Sequence, residues 1–172
     1  MTEAELLANG DSAAFGALVR LHQSNVRGFL LRMTRGDAAL ADDLAQDTFL
    51  EAYRKIARFR GEGSFAGWLY RIAYTRYLMQ ARKRKLESLD DEKECALEAP
   101  DAQGASMAKL DLEKAMARLA PAERAALTLC FALELSHEDA AMALNQPLGT
   151  LKSHIARGRE KLRTLLAAWG TP

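Results

Sequence analysis

Apolar residues recur along this chain at three- and four-residue steps, and no segment alternates with period two, so the pattern predicts helices and no β-sheet. Phe15, Leu18, Val19, Val26, Phe29, Leu30 and Met33 mark a first core-facing helix, started by a cap at Asp11 or Ser12 and ended by Gly36 and Asp37. A second helix runs from about Ala39 to Phe59 and is expected to bury Leu40, Leu44, Leu50, Tyr53 and Ile56 beneath a charged outer face. The turn Arg60 to Ser64, with two glycines, leads into a third helix from about Phe65 to Lys85.

The same period resumes after residue 106. Leu110, Leu112, Met116 and Leu119 predict a short helix, and Pro121 then stands where a first helical residue tolerates proline, opening a helix through Leu133. Ser136, with Asp139 three residues on, forms an acidic variant of a capping box before the short buried face Ala140, Ala141 and Leu144. Asn145 to Pro147 make a turn. The last helix starts near Leu148, with Leu151, Ile155, Leu162, Leu165 and Leu166 inward and Lys152, Arg157, Arg159, Lys161 and Arg163 largely outward. Residues 86–106 lack a helical stripe and contain Pro100 and Gly104, which reads as a flexible linker. The expected architecture is all-α: two small helical domains, 1–85 and 107–172, joined by that linker.

Composition narrows the field. The 172 residues are 49% apolar and 27% charged, enough for packed cores and unlike a disordered chain. The longest apolar run is far short of a membrane span and the acidic start carries no signal segment, so the expected compartment is the cytoplasm. Cys95 and Cys130 have no ligand-like spacing around them, which points to reduced thiols rather than a disulfide or a metal site, and no cofactor is implied. The net charge of +1 hides a division: residues 1–85 hold 14 basic and 9 acidic residues, 86–106 hold 1 and 7, and 107–172 hold 9 and 7. Two basic blocks thus flank an acidic middle.

Two features point to nucleic acid. A short helix, a turn and a longer basic helix make a helix-turn-helix pattern, and Thr150, Lys152, Ser153 and His154 fall at the start of the second helix, where base-reading side chains sit. The bland alternative is a helical hairpin with solubilising charges. In the third helix, Arg71 to Lys85 contains six basic and no acidic residues, interleaved with Tyr70, Tyr74 and Tyr77. Rings beside cations suit unpaired bases, although core packing explains the tyrosines equally well, and Trp68 better.

The stretch DDLAQDTFLEAYRKIARFRGEGSFAGWLYRIA, Asp42 to Ala73, resembles region 2 of the extracytoplasmic-function (ECF) sigma factors of the bacterial sigma-70 family. Leu119 to Arg163, LAPAERAALTLCFALELSHEDAAMALNQPLGTLKSHIARGREKLR, resembles their region 4. The resemblance implies a subunit that binds core RNA polymerase, through the largest-subunit clamp and the flap, and directs it to promoters by reading minus-35 and minus-10 elements. It implies docking on the clamp by Asp43, Leu44, Gln46, Asp47 and Phe49, with Asp47 where the family usually has Glu. The RFRGEGSF loop matches the family's melting loop. Lys55, Arg58, Arg60, Gly61, Gly63, Ser64, Trp68, Arg71, Tyr74, Thr75, Arg82, Lys83 and Arg84 are accordingly expected at minus-10 DNA. Thr150, Lys152, Ser153, His154, Arg157, Arg159 and Lys161 are expected at minus-35 DNA. Thr75, Met79 and His154 depart from the family's common residues, which alters the expected base preference. The acidic linker corresponds to the segment that threads the polymerase cleft, and an anti-sigma factor is an expected partner.

A stand-alone helix-turn-helix regulator would account for residues 107–172 only. An enzyme accounts for less: His22, His137 and His154 are isolated, and neither a nucleophile with its base nor a pair of catalytic carboxylates is evident.

Overall fold

A computed structural model describes residues 3–9, 11–88 and 106–170, and every regular element among them is helical. In chain order these are α1 (Glu3–Asn9), α2 (Ser12–Met33), α3 (Ala38–Lys55) with a 3-10 turn (Ile56–Arg58), and α4 (Phe65–Glu87). After the acidic segment come α5 (Met107–Ala117), α6 (Pro121–Leu127) with a π-helical continuation (Thr128–Ala132), α7 (His137–Ala143) and α8 (Leu148–Ala168).

Local chemistry sets the ends. Asp11 caps α2 by accepting the Ala14 amide at 2.7 Å, Asp37 caps α3 through Leu40, and Ser64 caps α4 through Gly67. Helices α2 and α7 both stop in a Schellman turn: Gly36 N–H reaches the Leu31 carbonyl and Gln146 N–H the Ala141 carbonyl, each at 2.9 Å. The second turn places Asn145 at a φ of +52°, which a short polar side chain tolerates, and so sets the helix-turn-helix corner.

Helices α2, α3 and α4 bundle around Leu18, Val26, Phe29, Leu30, Met33, Leu69 and Tyr70. The inner stripe of α3 is Ala41, Leu44, Ala45, Thr48 and Ala52, small enough for close approach of its neighbours. Leu50 and Tyr53, expected in the core, are instead 49% and 53% exposed. They lie off that stripe, so the packed face of α3 is narrower than its apolar content implies. In the second half, α6, α7 and α8 surround Ala125, Leu129, Ala140, Leu144 and Leu151, while Leu112, one of the apolar residues that mark α5, is 41% exposed.

The two halves share one core. Helix α7 packs along α4, and α5 and α6 pack on α2. A 21-residue segment could hold the halves roughly 70 Å apart if extended, yet here they touch. Residues 89–105, most of that segment, lie outside the described residues, as does Cys95; α4 continues through Glu87, two residues beyond its expected end.

Candidate polymerase and nucleic-acid interfaces

Asp43, Gln46 and Asp47 occupy i, i+3 and i+4 of α3, and all three are exposed on one face. Leu44 is buried and Phe49 half-buried against the core, so these two support the face from beneath rather than forming it. One and two turns further on, the exposed Leu50 and Tyr53 continue the same face, Tyr53 resting edge-on against Phe15 with ring centres 5.0 Å apart. The result is an acidic and apolar strip. Its apolar half has no distinguishing signal in the sequence, because a hydrophobic residue at helical spacing is assigned inward by default. On the neighbouring face, Glu51 binds Lys55 and, at 2.7 Å, Arg76 of α4; the hydrogen bond from Lys55, with help from Arg76, holds its carboxyl below the usual range.

The loop before α4 is built for backbone access. Gly61 and Gly63 have φ of +72° and +76°, a region where a Cβ is strained. Arg58, Arg60, Gly61 and Gly63 are exposed, as are Arg71, Thr75, Arg82 and Lys83 along α4. Lys55 is engaged with Glu51, and Arg84 lies 3.4 Å from Asp37. The aromatic residues behave differently. Trp68 is half-buried in a cluster with Phe59 and Phe65, ring centres 5.3 and 5.5 Å away. Tyr70 is buried against Phe29, and desolvation pushes its phenol up to about 12. Tyr74 is buried too, its phenol raised by desolvation and then by Tyr77, whose ring stacks 6.2 Å away. In this arrangement the tyrosines are core, and stacking on unpaired bases would require Tyr74 to be uncovered.

At the start of α8, Thr150, Lys152, Ser153 and Arg157 are exposed and His154 half-buried. The Arg157 guanidinium lies 3.3 Å from His154 Nδ1, a contact that needs the neutral ring with its proton on Nε2. The exposed cations of the next turn have partners within the protein. Arg159 lies over the ring of Phe131, 5.9 Å from its centre. Lys161 Nζ is 2.9 Å from both carboxylate oxygens of Glu123. Glu123 is buried; burial would raise its pKa, but the Lys161 hydrogen bonds and the Ala120 amide outweigh that and hold it low. This ion pair links α6 to α8. An apolar groove of about 420 Å³ lies beside it, lined by Leu112, Met116, Leu127, Phe131 and Leu162, with Arg32, Glu113 and Arg159 among its polar residues. Cys130 nearby is half-buried, and desolvation raises its thiol pKa, which disfavours the reactive thiolate.

Polar contacts join the halves among the described residues. Arg124 on α6, fully buried, donates to the Arg32 and Met33 carbonyls at the end of α2 (3.2 and 2.9 Å) and to Leu119 O at 3.1 Å. Arg32 bonds Glu113 of α5 at 3.1 Å. The Asp139 carboxylate accepts the amide of Ser64 at 3.1 Å. Only half of the expected capping box therefore serves α7: Ser136 Oγ accepts Asp139 N–H, while the Asp139 side chain turns to the other half of the molecule.

A helical bundle with an exposed acidic strip, a glycine loop leading into a basic helix, and a helix-turn-helix packed on the same core are features expected of a protein that binds nucleic acid. Comparison gives the particular kind: the family Sigma-70 region 2 matches residues 18–87, and Sigma-70, region 4 matches residues 109–162. The chain is 36% identical to ECF RNA polymerase sigma factor SigE of Mycolicibacterium smegmatis, over 93% of this chain and 65% of that protein. It is 34% identical to RNA polymerase sigma-H factor of Pseudomonas aeruginosa, over 92% of this chain and 89% of that one. Among solved structures, the sigma factor RpoE in complex with the anti-sigma factor NepR from Bartonella quintana superposes with a TM-score of 0.80 at 30% identity. That match covers 89% of this chain and 96% of the other, so it takes in both halves. The chain belongs to the ECF sigma factors of the sigma-70 family. It is accordingly an RNA polymerase sigma factor that directs promoter-specific transcription, an initiation factor rather than an enzyme, and the stand-alone regulator is not favoured. Among the described residues no helix is long and apolar enough to cross a membrane.

Proposed function

We propose that the two halves divide the work of initiation as follows. Residues 1–85 dock on the polymerase clamp through Asp43, Gln46 and Asp47, extended by Leu50 and Tyr53, and open the minus-10 element with the Arg60 to Ser64 loop and α4. Flipping a base out of the stack costs a few kcal/mol, and the backbone amides of the glycine loop, with Arg60 and Arg71, offer contacts to offset it. Residues 107–172 read the minus-35 element with Thr150, Lys152, Ser153, His154 and Arg157, and segment 86–106 spans the cleft between them. Arg159 and Lys161 serve the packing of α8 in place of base contact, given their engagement with Phe131 and Glu123. The protein works in the cytoplasm, where its polymerase is, and is restrained by an anti-sigma factor, as RpoE is bound by NepR.

The observation that carries this reading is the grouping of Asp43, Gln46 and Asp47 on one exposed face that the core of α3 does not use. Charge reversal at two of them tests it. Asp43→Lys/Asp47→Lys should keep the helical circular dichroism signal and lose competition against another sigma factor for core polymerase. Unimpaired competition overturns the docking assignment.

A further inference from the structure

We propose that His154 is a positioning residue: its neutral ring holds Arg157 in the orientation that reads a minus-35 base pair, and protonating the ring loosens the choice of base there. The inference rests on the reading of α8 as the minus-35 helix. Two contacts hold the Arg157 guanidinium, Nη2 against His154 Nδ1 at 3.3 Å and Nε against the Ser153 carbonyl at 3.4 Å. A guanidinium carries five N–H donors in a planar fork, so these contacts fix its plane and leave three donors for a base edge. Paired N–H groups in that plane match the O6 and N7 acceptors of guanine. Ser153 is itself tied back, its hydroxyl donating to the Gly149 carbonyl at 3.0 Å. Arg157 is exposed and His154 half-buried, so the histidine is the less accessible of the two to a base.

The contact exists in one protonation state only. A neutral imidazole with its proton on Nε2 offers Nδ1 as an acceptor, whereas the imidazolium carries N–H at both nitrogens and sets a second positive charge beside the guanidinium. Among the described residues neither His154 nor Arg157 forms an ion pair with a carboxylate. From α6, Glu123 attracts Arg157 but is bonded to Lys161 at 2.9 Å, and Arg124 donates to the Met33 and Leu119 carbonyls. From α7, Asp139 accepts the Ser64 amide, and His137 and Glu138 stand beside it in the first turn. From α5, Glu113 is bonded to Arg32, and Lys109, Asp111 and Lys114 are the other charged groups. Along α8, Lys152, Arg159 and Lys161 add positive charge, and Glu160 is bonded to Arg163. A protonated His154 therefore repels Arg157 and leaves it to the pull of Glu123.

Base preference measured at two pH values tests this. Core polymerase reconstituted with the full chain is bound, without nucleotides, to duplexes carrying a library of minus-35 variants at about pH 6 and about pH 8. The readout is the ratio of preferred to other bases at each position, in which pH effects on polymerase and on phosphate contacts cancel. The wild type is expected to lose at least about threefold of its preference at one base pair on acidification, and nothing elsewhere. His154→Ala should weaken preference at that base pair equally at both pH values. Arg157→Ala should abolish it there, and the double variant should be no worse than Arg157→Ala alone. His154→Asn, whose Oδ1 takes the place of Nδ1 and does not titrate, should keep the preference and lose the pH response. Three results overturn the proposal: a wild-type preference that is the same at both pH values, a pH response that survives in His154→Ala or His154→Asn, or effects of the two alanine variants at different base pairs. Arg157→Ala and Ser153→Ala leaving every minus-35 preference intact would instead remove the reading of α8, a failure distinct from that of the pair.

Discussion

Replacing Glu123 separates two contributions that the structure places on one side chain. Its carboxylate caps α6 through the Ala120 amide at 3.2 Å and pairs with Lys161 of α8 at 2.9 Å. Glu123→Ala removes both. Loss of a cap costs about 1 kcal/mol. The Lys161 side chain is 52% exposed, so water takes back much of its charge and the pair itself contributes at most about 1 kcal/mol. The expected total is about 2 kcal/mol, or roughly 4 to 8 °C in Tm for a chain of this size. Glu123→Gln keeps an oxygen for the Ala120 amide and should lose less than about 1 kcal/mol. Because the folded carboxyl titrates below its ordinary value of 4.5, its contribution is fully present above that value and declines as pH falls through the folded pKa. The deficit of Glu123→Gln against the wild type should therefore stay level down to about pH 5 and shrink from there to about pH 3. Urea titration of the three proteins across that range measures it. A Gln variant as unstable as the Ala variant would refute the share assigned to the cap, and a deficit that stays constant with pH would refute the share assigned to the carboxylate's charge.

Other outcomes follow from the surfaces. Ser153→Ala and His154→Ala should each change minus-35 base preference, costing about 1 to 3 kcal/mol at one base pair, as measured by binding to a library of minus-35 variants. Arg82→Ala/Lys83→Ala should weaken binding evenly across sequences and flatten the dependence on log salt by about one unit for each phosphate no longer neutralised. Leu50→Ser/Tyr53→Ser should weaken core binding with little loss of thermal stability, since both side chains are about half exposed; a large drop in Tm would return them to the core. Exchanging the seven acids of segment 86–106 for Ser or Gln should leave promoter binding intact and change the ratio of abortive to full-length RNA.

Much of this was legible in the residues. The cap at Asp11, the proline opening α6 and the Asn145 corner are local signals, and local chemistry determines them. Long-range packing was harder to read. Leu50 and Tyr53 keep helical spacing but miss the alanine stripe that α2 and α4 contact, and no local rule distinguishes the two. Helix α1 is only seven residues long and has one buried leucine, too little to register as a period. Asp139 looked like half of a capping box because its partner 75 positions away has no local signature. That Arg159 and Lys161 also meet Phe131 and Glu123 could not be read locally, since those partners lie roughly 30 to 40 positions away in the chain.

The division of labour between the halves is tested most directly by transcription itself. Core RNA polymerase reconstituted with the purified chain is run on fragmented genomic DNA, and the 5′ ends of the transcripts are mapped. The account predicts new start sites that share a minus-35 and a minus-10 element at fixed spacing, with Ser153→Ala shifting only the former and Arg60→Ala/Ser64→Ala abolishing opening at the latter. Sequence-specific binding of the chain alone to duplex DNA, with no polymerase-dependent transcript at those sites, would contradict it.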